Sequence, residues 1–201
     1  VFSHEPAIKL AEQLIKLAPP SLTKVFFTSG GSEGVETALK LTRHVSLMKG
    51  TPLKQKIISL HGAYHGMSYG ALSVTAIPQD KWQFGCLLPN IININSQYSN
   101  LTSWNMELQE IEDQCYENLL NTLKINDPQT IGALIIEPVM GVGGMIAHSN
   151  AFISKICKIC HENDILVIAD EVATATFVGT LNIKVISGTF AKPPPTPKSA
   201  E

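Results

Sequence analysis

The sequence has 201 residues, 44% of them hydrophobic and 16% charged, a globular balance that excludes intrinsic disorder for most of the chain and suits one domain or a large part of a bigger one. Lys and Arg total 15 against 17 Asp and Glu, a formal charge of −2, so neither nucleic acid nor an anionic membrane has an electrostatic footprint here. No apolar run reaches the ~18 residues of a membrane span, the opening VFSHEPAIKL has no secretory pattern, and four cysteines are too few for a disulfide scaffold, which together point to a reducing, cytoplasmic setting. Because the chain starts at Val1 rather than Met, an upstream piece is expected.

Residues 3–18 place Ile8, Leu10, Ala11, Leu14, Ile15 and Leu17 near helical spacing, and Pro19-Pro20 ends that helix. Lys24–Thr28 (KVFFT) reads as a short buried strand, broken by Ser29-Gly30-Gly31. Glu33–Met48 has Val35, Ala38, Leu39, Leu41 and Thr42 at spacings of a helix closed by Gly50. Gln55–Leu60 is a second strand. Residues 61–78 are rich in Gly, His, Tyr and Ser and carry no clear period, and 85–103 read as irregular apart from a short strand at Ile91–Ile94. A helix is predicted over Trp104–Leu123, a strand over Thr130–Glu137, a helix over Asn150–Asn163 and a strand over Ile165–Asp170. Strands that are almost wholly apolar and alternate with helices predict an α/β fold, a mostly parallel sheet with helices on both faces.

Residues 177–201 differ. They hold Pro193, Pro194, Pro195 and Pro197 and a net charge of +2, against −4 for residues 1–176. The expectation is a domain over 1–176 followed by a divergent, Pro-rich, disordered tail over 177–201.

Open parallel sheets bind ligands at the carboxyl ends of their strands, which singles out Ser29–Glu33, Leu60–Gly66, Glu137–Gly144 and Asp170–Thr174. The first is strand, glycine turn, helix. Such a turn lets backbone N–H groups approach an anion closely, with the Ser32 hydroxyl adding a bond, although an ordinary N-cap has the same spacing. It is neither a P-loop nor a GxGxxG fingerprint. In the second, Tyr64 offers a stacking face and His65 a titratable ring, although taken alone the segment favours the plainer reading, a partly buried Tyr and a hydrogen-bonded His. In the fourth, Asp170 at a strand end needs a cation or a donor. Mg²⁺ is one candidate, although a Walker B aspartate requires the missing P-loop, and a protonated pyridine nitrogen is another. Cys157-Lys158-Ile159-Cys160-His161 matches the CxxCH string of haem attachment, but it falls inside an amphipathic helix, and no second ligand pair is spaced for zinc.

Taken together, SHEPAIKLAEQL, VFFTSGGSEGVETALKL, IISLHGAYHGMSYGALSVT, GALIIEPVMGVGG and ILVIADEVAT resemble, in order, the class III aminotransferases, pyridoxal 5′-phosphate enzymes of fold type I. The resemblance covers residues 3–174 and implies the partial large domain of such an enzyme. It implies that Gly31 and Ser32 hold the cofactor phosphate, that Tyr64 and Val172 pack on opposite faces of the pyridine ring, and that Asp170 pairs with the ring nitrogen. His65 is counted with the cofactor-binding residues, and Glu137 sits near the cofactor. The implied reaction moves an amino group from an amine or ω-amino acid donor to an oxo acid such as pyruvate, in a homodimer. Val142 follows Gly141 where members with a glutamate switch carry an acid, and Ala173 stands where several members have Gln. This likens the chain to the ω-amino acid:pyruvate, taurine:pyruvate or diaminopelargonate-forming members.

After Thr174 the likeness stops: Ala175-Thr176-Phe177-Val178-Gly179-Thr180 replaces the family's Gly-Phe-Gly-Arg-Thr-Gly-like turn. The lysine that forms the Schiff base and moves the Cα proton is not recognisable. Lys198 lies 28 residues beyond Asp170, in a Pro-rich context unlike a strand end. The expectations are therefore a truncated, frameshifted or spliced form that is inactive alone, and an interrupted sheet that leaves an unpaired edge and uncovered apolar surface. The rival functions are a catalytically dead remnant that binds cofactor or a partner subunit, and an ATPase built on Asp170.

Overall fold

The computed structural model describes residues 3–85, 87–97 and 106–174, and the backbone of Lys184–Ser187. Helix α1 (Glu5–Leu17) opens under a cap in which His4 Nδ1 accepts from Ala7 N–H. It stops at Ala18, which is extended as a residue before proline must be. Helix α2 (Gly31–Met48) begins two residues earlier than its apolar period suggests and buries Val35, Ala38, Leu39, Thr42 and Ser46 along one face. Gly50, at φ +73°, turns the chain out of it.

The core is a three-layer sandwich. Strands β1 (Lys56–Leu60), β2 (Ile91–Ile94), β3 (Ile131–Ile136) and β6 (Leu166–Asp170) run parallel in the order β2-β1-β3-β6. Helices α4 (Leu108–Asn126) and α5 (Asn150–Glu162) cover one face, with Leu119, Leu123, Phe152 and Ile156 against Ile58, Leu60, Leu134 and Ile136. Helices α2 and α3 (Tyr69–Val74) cover the other, with Val35, Ala38, Ala71 and Val74 against Ile57, Ala133, Ile135 and Ile168. Strand residues alternate between the two clusters, and burial on both faces explains their continuous apolar sequence. A short antiparallel hairpin, β4 (Val139–Met140) and β5 (Ile146–Ala147), leaves the end of β3.

Three differences from the sequence reading have physical causes. Lys24–Thr28 is not a strand: no neighbour pairs with it among the described residues, and Phe26 and Phe27 are exposed. The helix expected over 104–123 runs instead from Leu108 to Asn126, residues 104–105 lying outside the described part. Within the segment read as a tail, β7 (Lys184–Ser187) pairs antiparallel with β6, Lys184 opposite Asp170, so that edge of β6 is covered. Residues 191–201, Lys198 among them, lie outside the described residues.

At the amino edge of the sheet, Lys54 is buried and donates to the carbonyls of Pro128 (3.2 Å) and Asn163 (2.9 Å), fastening the turns that enter β3 and β6 to the one that enters β1. His148 is the odd buried group. Neither ring nitrogen has a partner, and its ring lies 5.2 Å from that of Phe152. Burial pushes its pKa down to about 4, against an opposing pull from Glu112. A histidine whose folded pKa lies below its unfolded value contributes stability that is complete above the unfolded pKa, near 6.5, and is lost as pH falls toward 4. The loss should be on the order of 3 kcal/mol at its fullest. His148→Phe should therefore flatten the fall in urea midpoint between pH 7 and pH 4.5 relative to the wild type; parallel falls in the two proteins would refute this.

Candidate functional site

The strand order places a switch point between β1 and β3. From β1 the chain crosses to β2 on one side, and from β3 it crosses to β6 on the other. The loops leaving the carboxyl ends of these strands diverge and leave a crevice, where open α/β sheets bind ligands. All four segments singled out in the sequence meet there.

The turn into α2 comes first. Gly30 is the N-cap, so no side-chain oxygen caps the first turn, and the N–H groups there carry the positive end of the helix dipole. Gly31 sits directly against the loop after β6: a Cβ on it would stand 3.3 Å from Val172 Cγ2. The Ser32 hydroxyl accepts from Met67 N–H at 3.1 Å. Gly66, at φ +120°, lets the two loops touch, since a Cβ there would lie 3.0 Å from Ser32 Cα and collide with its hydroxyl.

The segment after β1 is held from three sides. Tyr64 N–H donates to Glu137 Oε1 (2.9 Å), His65 N–H donates to Thr75 Oγ1 (2.9 Å), and the Thr75 hydroxyl donates to Gly66 O (3.1 Å). The His65 ring is buried, with Nδ1 2.8 Å from Asp170 Oδ2, while its Nε2 has no partner. Asp170 is the last residue of β6, 4% exposed, and its other oxygen accepts from Val172 N–H at 3.3 Å. The His65 ring therefore touches the Asp170 carboxylate directly.

Glu137 follows β3 directly and is buried. Its Oε2 accepts from Gly141 N–H at 3.0 Å, at the tip of the β4–β5 hairpin. Burial pushes its carboxyl above the usual range. The Gly141 and Tyr64 N–H bonds and His65 pull it back, and Asp170 pushes it up. The hairpin closes on the crevice: a Cβ on Gly141 would be 3.6 Å from Ala173 Cβ, and one on Gly143 only 2.6 Å from Gly62 O. Val142 and Met145 project outward from the tip.

Three residues that carry this geometry have no signature in the sequence. Glu36 reaches from α2 to cap α3, accepting from Ser68 Oγ (2.7 Å), Gly70 N–H (2.7 Å) and Ala71 N–H (3.2 Å). Lys81 closes the other end of α3, donating to Ser73 O (3.0 Å) and Thr75 O (2.8 Å). Thr75 is the third. An anion at the start and a cation at the end complement the dipole of a helix too short to stand alone. Only Gly66, a glycine in the loop after β1, announces a tight approach in the sequence.

Within the CxxCH string, Cys160 points into the core while Lys158 and His161 are exposed. Cys160 is fully buried with its thiol pushed up to about 12, and burial raises Cys157 as well, so neither haem attachment nor zinc ligation suits the pair. Among the described residues, no group of three or more His, Cys, Asp or Glu is placed to hold a metal ion.

A mostly parallel α/β sheet flanked by helices on both faces, with its loops meeting at the switch point, defines the class of fold. Comparison with known proteins gives the family. The profile of the class III aminotransferases matches residues 1–179, and the chain belongs to that family. It is 36% identical over 174 residues to a probable aminotransferase of Mycobacterium tuberculosis, covering 87% of this chain and 37% of that protein. It is 32% identical over 170 residues to a putrescine–pyruvate aminotransferase of Pseudomonas aeruginosa, covering 85% and 37%. The crystal structure of an amine transaminase from an uncultivated Pseudomonas species, in its PLP-bound form, superposes with a TM-score of 0.81 at 33% identity, covering 86% of this chain and 39% of that one. The chain thus spans well under half the length of the relatives it matches.

The geometry makes Gly66, where two crevice loops touch, and Glu36, which caps α3, sensitive positions. Gly66→Ala should destabilise by more than about 2 kcal/mol, through its positive φ and the collision with Ser32. Glu36→Ala should cost about 1–2 kcal/mol for the lost cap. Denaturant titration of both variants checks this, and wild-type midpoints would refute it.

Proposed function

We propose that the crevice holds pyridoxal 5′-phosphate and that the protein is a transaminase, moving an amino group from an amine or ω-amino acid to an oxo acid such as pyruvate. The observation that carries the proposal is the juxtaposition of the Gly31-Ser32 turn with the Asp170–Val172 loop, through the approach of Gly31 to Val172. An anion-binding turn and a buried carboxylate thereby share one pocket. The family and the amine- and pyruvate-using relative support the substrate classes.

The residues fit the group. The uncapped first turn of α2 suits a phosphate dianion, and Gly31 and Ser32 present backbone N–H groups and a hydroxyl to it. Asp170 would hold a proton on the pyridine nitrogen, since a buried carboxylate favours the cationic ring. His65, at 2.8 Å, fixes the orientation of that carboxylate. Tyr64 would stack on one face of the ring and Val172 pack on the other. Glu137 stands behind Tyr64. When bound, pyridoxal phosphate supplies a conjugated electron sink and carries the amino group between donor and acceptor.

A second reading has its own support. No lysine in the Ser/Ala-Lys-Gly context is recognisable in the sequence. For the chain as given, we propose reversible cofactor binding without turnover, in a binding domain over 1–176 with 177–201 as a divergent tail. The exposed Phe26, Tyr69 and Trp82 support a homodimeric partner that covers them, and the free state of Cys115, Cys157 and Cys160 among the described residues supports a reducing, cytoplasmic setting.

Pyridoxamine 5′-phosphate tests the pocket, because it has no aldehyde to react with surface lysines. Calorimetry should show saturable binding that weakens at least tenfold, about 1.4 kcal/mol, in Asp170→Ala. No binding by the wild type would overturn the proposal. Borohydride treatment with pyridoxal phosphate separates the two readings: a mass gain at one lysine favours turnover, and its absence favours the non-catalytic form.

A further inference from the structure

We propose that Glu137 is the positioning residue of this pocket, a buried carboxylate that locks the Tyr64 segment to the β4–β5 hairpin tip and so fixes the stacking face against the wall opposite. The proposal rests on the pyridoxal phosphate reading of the crevice. Its grounds are geometric. Glu137 leaves the end of β3, the strand between β1 and β6. One oxygen accepts the N–H of Tyr64, from the loop after β1, and the other accepts the N–H of Gly141, at 2.9 and 3.0 Å. Both bonds go to backbone N–H groups, so they fix the course of the chain rather than one rotamer. Both donors lie in irregular segments, where no strand or helix ladder supplies an alternative acceptor.

A neutral acid or an amide cannot do the same work. A carboxylate accepts at both oxygens, whereas an amide accepts at one and presents a donor at the other. Facing two N–H groups, the amide would leave one of them opposed by a second donor. Glu137→Gln therefore removes one tie with little change in volume, and Glu137→Ala removes both. Gly141 also packs toward Ala173, so release of the tip would loosen the loop that carries Val172.

Amide hydrogen exchange without cofactor reads the lock directly. In the wild type, Tyr64 and Gly141 N–H should be protected. In Glu137→Gln at least one should exchange tenfold faster or more, and in Glu137→Ala both should, while the core amides of Ser59 and Leu134 keep their protection as the check on folding. Affinity for pyridoxamine 5′-phosphate, measured by equilibrium dialysis, should fall in the same order, by at least threefold and then tenfold. Unchanged exchange at Tyr64 and Gly141 in the alanine variant would overturn the lock. Faster exchange with unchanged affinity would overturn the positioning role while leaving the cofactor pocket intact. A wild type with no affinity, but with exchange that follows Glu137, would keep the lock and overturn the cofactor reading instead.

Discussion

The pocket depends on one buried pair, the Asp170 carboxylate and the His65 ring at 2.8 Å. A carboxylate at the end of an apolar strand, almost wholly out of water, loses hydration that only donors can replace. Val172 N–H supplies one and His65 faces another oxygen. To place that ring the chain must bring the loop after β1 across to β6, past the intervening β3. The rest of the site follows from this crossing. Thr75 anchors the backbone of His65, Ser32 and Gly66 meet beside it, and Glu137 fastens Tyr64 from the strand being crossed.

Much of this was legible in the sequence because the physics is local or periodic. The four parallel strands declare themselves as short apolar runs, since the three inner ones are buried on both faces and the edge strand β2 packs partly against both clusters. The four loop segments follow from the rule for strand ends alone, and the fold brings all four together. Lys24–Thr28 shows where that reasoning stops. Its composition is that of a strand, but a strand exists only with a pairing partner, and composition carries no information about partners. Helix α3 was hidden for the opposite reason: Gly70 through Val74 are all buried, so no amphipathic period survives to announce it.

The least legible features are long-range polar contacts. Glu36 lies on α2 like any exposed acid, yet it caps a helix more than thirty residues further on. Lys81 follows a 3₁₀ turn and reads as surface charge, yet burial lowers its pKa and two carbonyls receive it. Glu137 could be read as an acid near a strand end, but not as the acceptor of two backbone N–H groups from different loops. Each contact joins residues that the fold alone makes neighbours, so no spacing rule in one sequence could reveal it.

These contacts also separate the stability of the site from that of the core. The two hydrophobic clusters are built, apart from Ala63 and Ile165, by strand and helix side chains and use none of Ser32, Glu36, His65, Glu137 or Asp170. The loops at the carboxyl edge contribute little apolar burial of their own, so their arrangement rests on hydrogen bonds between side chains and backbone and on glycines that let the backbones touch. Such bonds add only about 0.5–1.5 kcal/mol each to global stability, but they are the main restraint on where Tyr64 and Val172 lie. A change at the edge can therefore scatter the pocket while the sheet stays folded. That is the behaviour expected of a binding surface carried on a rigid scaffold, and it makes the edge, rather than the core, the part of this sequence where substitution and function are most tightly linked.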